Sequence, residues 1–203
     1  MSDELPRFYR VATNVIIPFV SQPGPLNNDQ IWTTDIYSYA PQGGGPGGGL
    51  YDYEIRIGGY GDEYRILIQF DLTNMPTNVA SAKLMLYCYS TSGGGTASFL
   101  YQITQPWWNW QTSGTGPDHN RLWWADQPQA TLWESNSLPA PLPNQWYTVD
   151  VTSLVSAWQS GAVSNCGLEL RPVSENNTFN FFYSANYMDD PNLRPKLIIT
   201  PAD

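Results

Sequence analysis

Positive charge is scarce in this 203-residue chain, in which nine Lys and Arg residues stand against eighteen Asp and Glu, a net charge of −9. Nucleic-acid-binding proteins carry a basic footprint, because much of their affinity comes from phosphate contacts. No apolar run reaches the roughly 18 residues of a membrane span. The acidic start Met1–Glu4 is not followed by the apolar segment of a signal peptide. We therefore expect no nucleic-acid partner, no membrane insertion and no secretion by a visible leader.

Catalytic residue types are also scarce. The chain has one histidine, His119, next to Asp118, and neither a Ser–His–Asp set nor zinc-ligand spacing accompanies it. A solvated loop is a better interpretation of this pair than an acid–base or metal site. We therefore predict no catalytic residues and no enzymatic activity. Cofactors are not expected, although loop carboxylates and carbonyls leave room for a structural calcium ion with no ligand set indicated.

Only two cysteines are present, Cys88 and Cys166, and both lie in apparent strands. Two cysteines do not make a disulfide framework. The pattern leaves two alternatives open: small buried hydrophobic residues, or a single bridge between two sheets.

Aromatic residues, glycine and proline are plentiful, and the aromatics alternate with polar residues in short runs. The clearest run is Tyr64–Leu72, in which Tyr64, Ile66, Ile68 and Phe70 share one face. A period of two with large apolar side chains predicts a strand with a buried face. Leu67 on the opposite face indicates a central strand that is covered on both sides.

Similar runs recur along the chain, separated by turn signals about every ten residues. We count roughly nine to eleven strands, and Tyr51–Ile57 with Tyr64–Leu72 is predicted to form a hairpin. One helix is predicted at Thr152–Trp158, with Gly161 ending it. The fold class is therefore all-β: an antiparallel jelly-roll-like β-sandwich with one short helix.

The chain divides into an arm and a domain. Residues 1–30 form a Pro- and Asn-rich arm, which is ordered only when it is tied down. We predict that the arm docks on a partner or neighbouring subunit through Phe8, Tyr9, Ile16, Ile17 and Phe19. Residues 31–203 form the sandwich, interrupted by a long Trp-rich loop at 105–143.

The loop tryptophans have two interpretations. Indole rings stack on the apolar face of a sugar while their N–H group binds a hydroxyl, which predicts a glycan site. Tryptophan is equally typical of loop packing and of subunit interfaces. The residues in question are Trp107, Trp108, Trp110, Trp123 and Trp124.

Several segments resemble one family. Tyr64–Leu72 followed by Met75-Pro76, then Trp146–Trp158, Asn165–Leu170 and Arg194–Leu197 are similar to the DNRLRE-type domain, which is grouped with carbohydrate-binding module family 96. The resemblance runs from about Thr33 to Thr200. It implies a β-sandwich and carbohydrate binding, but its motifs are mainly core and turn positions, which indicate fold more strongly than function.

These observations favour a non-catalytic surface component of a larger assembly, an oligomer with other protein subunits as partners. A phage virion decoration or attachment protein at the virion surface fits the missing leader and the arm. The alternative is a polysaccharide-binding module of a secreted or cell-surface protein. A glycan-active enzyme is a weaker third reading.

Overall fold

The computed structural model describes residues 16–22, 31–38, 53–107, 122 and 124–202. Eleven strands and one α-helix lie within these ranges, and all the strand pairs are antiparallel. The predicted all-β class with one short helix is confirmed. The elements are β1 (Phe19–Ser21), β2 (Ile31–Tyr37), β3 (Glu54–Tyr60), β4 (Tyr64–Phe70), β5 (Val79–Ser92), β6 (Ser98–Ile103), β7 (Ala130–Leu132), β8 (Gln145–Asp150), α1 (Thr152–Gln159), β9 (Leu168–Pro172), β10 (Asn176–Tyr183) and β11 (Lys196–Pro201).

The strands form two facing layers. The first layer runs β1-β11-β5-β10-β3, with β8 also paired to β5, and the second contains β2, β4, β9, β6 and β7. The layers meet where Gly58 of β3 pairs with Tyr64 of β4. The predicted hairpin is therefore formed only at this single pair, because β3 pairs along its length with β10 and β4 pairs with β2.

The main core lies between the layers. It takes Ile66, Ile68 and Phe70 from β4, and alternate residues of β5 such as Leu84 meet them. Three side chains of α1, Leu154, Val155 and Trp158, join the same cluster. The inward face predicted for Tyr64–Leu72 is thus the observed one.

A second apolar cluster covers the opposite face of β4. It includes Leu67, the residue that indicated burial on both sides of this strand. Cys166 belongs to this second cluster, whereas Cys88 lies in the main core. Both thiols are free, so of the two sequence alternatives the structure shows two buried cysteines without a bridge.

The helix follows its predicted bounds to within one residue. The carboxylate of Asp150 accepts a hydrogen bond from the Thr152 N–H at 2.9 Å. Hydrogen bonds from the Thr152 backbone and side chain lower the pKa of Asp150. The helix ends at Gln159, and Gly161 follows with φ 73°, in the left-handed region that favours glycine. In the described ranges no helix is long and apolar enough to cross a membrane.

The described part of the arm lies against the sandwich of its own chain. β1 pairs with β11, and Phe19 packs against the main core. Ile16 and Ile17, by contrast, are 42% and 76% exposed. Phe8 and Tyr9 lie outside the described residues, and docking on a partner stays a prediction.

Candidate functional site

Two of the five predicted loop tryptophans are described, and both lie at the second cluster. Trp107 is only 1% exposed, and its indole N–H donates to the Cys166 carbonyl at 2.9 Å. Trp124 is half-buried and packs against the same cluster. Trp108, Trp110 and Trp123 fall outside the described residues. In this arrangement Trp107 has no free face for a sugar, which agrees with the packing interpretation for that residue.

One face of the Trp124 ring is covered by an arginine. The guanidinium of Arg65 lies 4.2 Å from the centre of the Trp124 ring, within cation–π range. The same guanidinium pairs with Glu63 at 2.7 Å and donates to the Gln127 side-chain carbonyl at 2.5 Å. These contacts hold the start of the 124–129 segment on the outer face of β4.

A buried carboxylate continues this charged group. Glu169 of β9 accepts two hydrogen bonds of 3.0 Å from Arg171, and Arg65 lies 3.6 Å away. Burial raises the pKa of Glu169, whereas both arginines favour its charged form. Arg171 in turn lies 4.0 Å over the Tyr101 ring. Each of these described charges is therefore already engaged by a neighbouring residue.

The outer face of the first layer is different, because it carries aromatic rings where an exposed sheet normally carries polar residues. Leu84, Leu86 and Cys88 of β5 point into the core, which leaves the residues between them on the outer face. We call the aromatic residues on this outer face, from β5, β8, β10 and the turn after β10, the aromatic belt. Its members are Tyr87, Tyr89, Trp146, Phe181, Tyr183 and Tyr187, all half-buried.

Tyr183 is the centre of the belt. Its ring is nearly parallel to those of Tyr187, Tyr89 and Tyr87, with centroids 3.6, 4.7 and 5.8 Å away. Tyr87 meets Trp146 edge-to-face at 5.5 Å. The contacts of Tyr183 with Tyr89 and Tyr87, and of Tyr87 with Trp146, lie within the 4.5–7 Å range that aromatic pairs favour, whereas Tyr187 lies face to face on Tyr183. The rings therefore form a continuous, mutually supported surface.

Aromatic contacts continue from the belt towards the junction of the two layers. Phe181 contacts Tyr89 at 6.1 Å and the buried Phe179 at 5.5 Å. Phe179 contacts Tyr64 at 5.2 Å, and Tyr64 stacks on Tyr37 at 4.9 Å. Aromatic side chains from five strands thus follow one another across the molecule.

The polar groups beside the belt are few and specific. Lys196 of β11 places its ammonium 3.9 Å from the centre of the Trp146 ring, and burial lowers the pKa of Lys196. The Tyr89 hydroxyl donates to the carboxylate of Glu54. Arg56 is held by Asp35 at 3.1 Å and lies 5.4 Å from the Tyr64 ring centre.

Two phenol groups of the belt, those of Tyr89 and Tyr187, have raised pKa values. Burial first, and then its bond to Glu54, raises the pKa of Tyr89, and a hydrogen bond with Tyr183 raises the pKa of Tyr187 to about 12. Neutral hydroxyls both donate and accept hydrogen bonds. The belt therefore combines apolar rings with hydroxyl groups, which is the character of a sugar-binding surface.

Tyr187 is fixed by the turn that follows β10. Its N–H donates to the Ser184 carbonyl at 3.3 Å, and the buried Arg194 donates through Nε to the Tyr187 carbonyl at 2.7 Å. The N–H of Ala185 is bound by the Thr33 hydroxyl at 2.9 Å. A backbone restrained at three points holds the Tyr187 ring against Tyr183 without a ligand.

The sequence contained a partial signal for the belt. Tyr87 and Tyr89 lie on the face of β5 opposite its apolar residues, and Phe181 and Tyr183 do the same in β10 around Phe182. Because tryptophan is abundant in the 105–143 loop, the candidate glycan-binding residues were predicted there and not in β5 and β10. No group of three or more His, Cys, Asp and Glu able to hold a metal occurs among the residues described, and calcium stays a prediction.

A known protein family matches the part of the chain that carries the aromatic belt. Residues 55–201 match the model of carbohydrate-binding module family 96, which is more than two thirds of the 203 residues. The matched range contains every residue of the aromatic belt. The comparison with curated proteins gives no match.

Proposed function

Since the chain belongs to carbohydrate-binding module family 96, we propose that it binds a polysaccharide along the aromatic belt without cleaving it. Modules of this kind are binding domains rather than catalytic ones. The observation that carries the proposal is the row of half-buried rings on the outer face of a sheet, centred on Tyr183.

The geometry of the row defines how a sugar chain would bind. Rings stacked against one another present their edges and hydroxyls, whereas a ring at the end of the row presents a face. Tyr187 stacks one face on Tyr183, and we place a sugar ring against its other face. Because the rings are already held in place, little side-chain entropy is lost on binding.

The test compares one belt residue with one residue of the opposite layer. Tyr187→Ala removes an end ring, and Leu132→Ala removes an exposed apolar side chain from β7. Wild type and both variants are titrated by calorimetry with a panel of neutral and acidic polysaccharides. We expect Tyr187→Ala to lose about tenfold in affinity, equivalent to about 1.4 kcal/mol, and Leu132→Ala to bind like wild type.

Two results would contradict the proposal. One is a folded wild-type protein that binds no polysaccharide of the panel, and the other is equal affinity in Tyr187→Ala and wild type. The same samples are analysed for newly formed reducing ends, because their appearance would indicate an enzyme instead.

We propose as a second function that the chain is a surface component of a larger assembly, in the form of a phage virion decoration or attachment protein. Its support is the segment around β1, which ends the sheet and exposes Ile16, Ile17 and Val20. An edge strand with exposed apolar residues is a template for contact with another chain. A polysaccharide-binding role suits a virion surface, and equally the cell surface or extracellular space.

The assembly proposal is tested by removing the arm. Deletion of residues 1–30 should abolish oligomerisation, or incorporation into the particle, as measured by sedimentation. Because the deletion also removes Phe19 from the core, Ile17→Ser in the full chain serves as a milder variant. A monomeric full chain with no partner, or unchanged incorporation of both variants, would refute this second function.

A further inference from the structure

The side chain of Gln22, which directly follows β1, is bonded to a turn about 170 residues further along the chain. Its Nε2 group donates to the carbonyls of Asn192 at 2.9 Å, Arg194 at 3.1 Å and Pro191 at 3.5 Å. These carbonyls belong to a 3₁₀ helix, Pro191–Leu193, and to the residue after it. The last carbonyls of a helix have no partner within the helix, so they need a donor from elsewhere. Gln22 therefore caps this helix from a distant part of the chain.

The 3₁₀ helix lies in the segment 184–195, which joins β10 to β11 and which we call the belt turn because it carries Tyr187. In the ranges that the structure describes, no other hydrogen bond joins residues 188–193 to a residue outside the belt turn. Their remaining bonds are internal, such as that from the Asn192 N–H to the Asp190 carboxylate at 3.0 Å. The contact with Gln22, which we call the clamp, thus fixes this half of the turn to the edge of the sheet.

A short series of contacts leads from the clamp to the Tyr187 ring. Arg194, whose carbonyl accepts from Gln22, is only 2% exposed, and its Nε donates to the Tyr187 carbonyl at 2.7 Å. The same guanidinium lies 3.6 Å from the Met188 sulfur. The Tyr187 ring in turn stacks on Tyr183. Gln22 is therefore connected to the end ring of the belt through one buried side chain.

The position of Gln22 depends on β1. This strand pairs with β11 over three residues, and Phe19 packs against the main core. Ser21, next to Gln22, is buried, whereas Val20 points to the other face of the strand and is 51% exposed. The clamp therefore forms only while β1 is paired with β11.

We propose that Gln22 is a positioning residue of the aromatic belt, which holds Tyr187 in the geometry that binds polysaccharide. This rests on the function proposed above and adds how binding at the belt is regulated. With the clamp formed, the Tyr187 ring is fixed before a ligand arrives, so little of its freedom is lost on binding. A partner that draws β1 away from β11 releases the clamp and lowers the affinity for polysaccharide, and bound polysaccharide opposes that release to the same degree.

The test is a double-mutant cycle in the full chain. Gln22→Met keeps a side chain of similar size but cannot donate, and Gln22→Ala takes its place should Gln22→Met fail to fold. Val20→Ala is the matched control, because it alters β1 and leaves the Gln22 amide in place. These variants, Tyr187→Ala and the pair Gln22→Met/Tyr187→Ala are titrated by calorimetry with the panel of neutral and acidic polysaccharides.

We expect Gln22→Met to lower the affinity about fivefold, which is less than the loss in Tyr187→Ala. Val20→Ala should bind like wild type. In the Tyr187→Ala background, Gln22→Met should have no further effect on affinity, because Gln22 acts through this ring. A general loss of structure would instead lower the affinity further in the pair.

A second measurement reports on Tyr187 without any ligand. The protein is labelled with ¹³C in its tyrosine rings, and the Tyr187 signals in a ¹H–¹³C spectrum are assigned by their loss in Tyr187→Phe. Stacking on Tyr183 shields the protons of the Tyr187 ring. Gln22→Met should therefore shift these signals towards those of an unstacked tyrosine, and Val20→Ala should leave them unchanged.

The two measurements distinguish failure of the clamp from failure of the belt. Unchanged Tyr187 signals in folded Gln22→Met would overturn the positioning role, and so would additive losses of affinity in the cycle. Wild-type affinity in Gln22→Met, combined with a loss in Tyr187→Ala, would overturn it and leave the proposed function intact. A wild type that binds no polysaccharide would refute the proposed function, whereas a Tyr187 shift in Gln22→Met would still support the clamp as the restraint on this ring.

Discussion

Replacing Trp107 by Phe separates the two interpretations of the loop tryptophans. In the structure the Trp107 ring is buried, and its indole N–H is the donor to the Cys166 carbonyl at 2.9 Å. Phe fills most of the same space but cannot donate. If Trp107 anchors the loop, the substitution costs stability and leaves sugar binding unchanged.

The cost can be worked out from this contact. Losing the indole donor leaves a buried carbonyl unpaired, which typically costs about 1–3 kcal/mol. Trp107→Ala adds a cavity in the second cluster, and such substitutions cost about 3–5 kcal/mol. Trp124→Phe is the matched control, because Phe keeps a ring beside Arg65 and the Trp124 ring is only half-buried, so no buried hydrogen-bonding group is left unpaired.

The assay is urea unfolding followed by far-ultraviolet circular dichroism, together with the polysaccharide titration. The free energy of unfolding should fall in the order wild type, Trp124→Phe, Trp107→Phe and Trp107→Ala. Polysaccharide affinity should be the same for wild type and Trp107→Phe. Wild-type stability of Trp107→Phe combined with reduced affinity would refute the anchoring role and restore the sugar-stacking interpretation.

Three further predictions concern the scaffold. Ile68→Asp buries an unpaired charge in the main core and should leave the domain unfolded by circular dichroism, so a folded, soluble variant would contradict the register of β4. Asn180→Ala removes the amide that accepts from the Thr96 N–H at 2.9 Å and donates to its carbonyl at 2.7 Å, and should cost about 1–3 kcal/mol for each group left unpaired, as urea unfolding would show. Because hydrogen bonds lower the pKa of Asp150 in the folded state, its stabilising effect is present above its unfolded pKa and lost as pH falls through the folded one. The stability advantage of wild type over Asp150→Asn should therefore shrink as pH falls from about 7 to about 3, and a constant difference would contradict it.

The strands and the helix could be predicted because their patterns are local. The alternation in Tyr64–Leu72 identified both faces of β4, including the burial of Leu67 on the second one. Gly161 marked the end of α1 through its backbone freedom. Such signals lie within a few residues of the feature they specify, and they also carry the family resemblance.

The pairing of β3 could not be predicted in this way. Its turn signals favour a hairpin with β4, but Gly58 lies so close to β10 that a Cβ atom there would be 1.9 Å from the Thr178 carbonyl oxygen. β3 therefore leaves β4 after one pair and continues along β10, more than 110 residues further on. Only the folded structure shows this close approach, because neither segment contains information about the other.

The belt also depends on a β-bulge in β5, which could not be predicted from the sequence. Phe181 is opposite Ser90, and Phe182 is opposite Cys88, so Tyr89 is the extra residue of a bulge in β5. A bulge turns a side chain away from the regular alternation, and here Tyr87 and Tyr89 both contact Tyr183.

Beyond the bulge, the partners of the belt's rings are small. Phe181 and Phe179 are opposite Ser90 and Ser92, whose short side chains leave space above the sheet. The rings of β10 can therefore lie against one another rather than against bulky neighbours on β5. A regular ladder would instead pair Phe181 with Tyr89 and separate Tyr89 from Tyr183. The ring surface that we propose for polysaccharide binding thus depends on the register of two strands that lie far apart in the sequence.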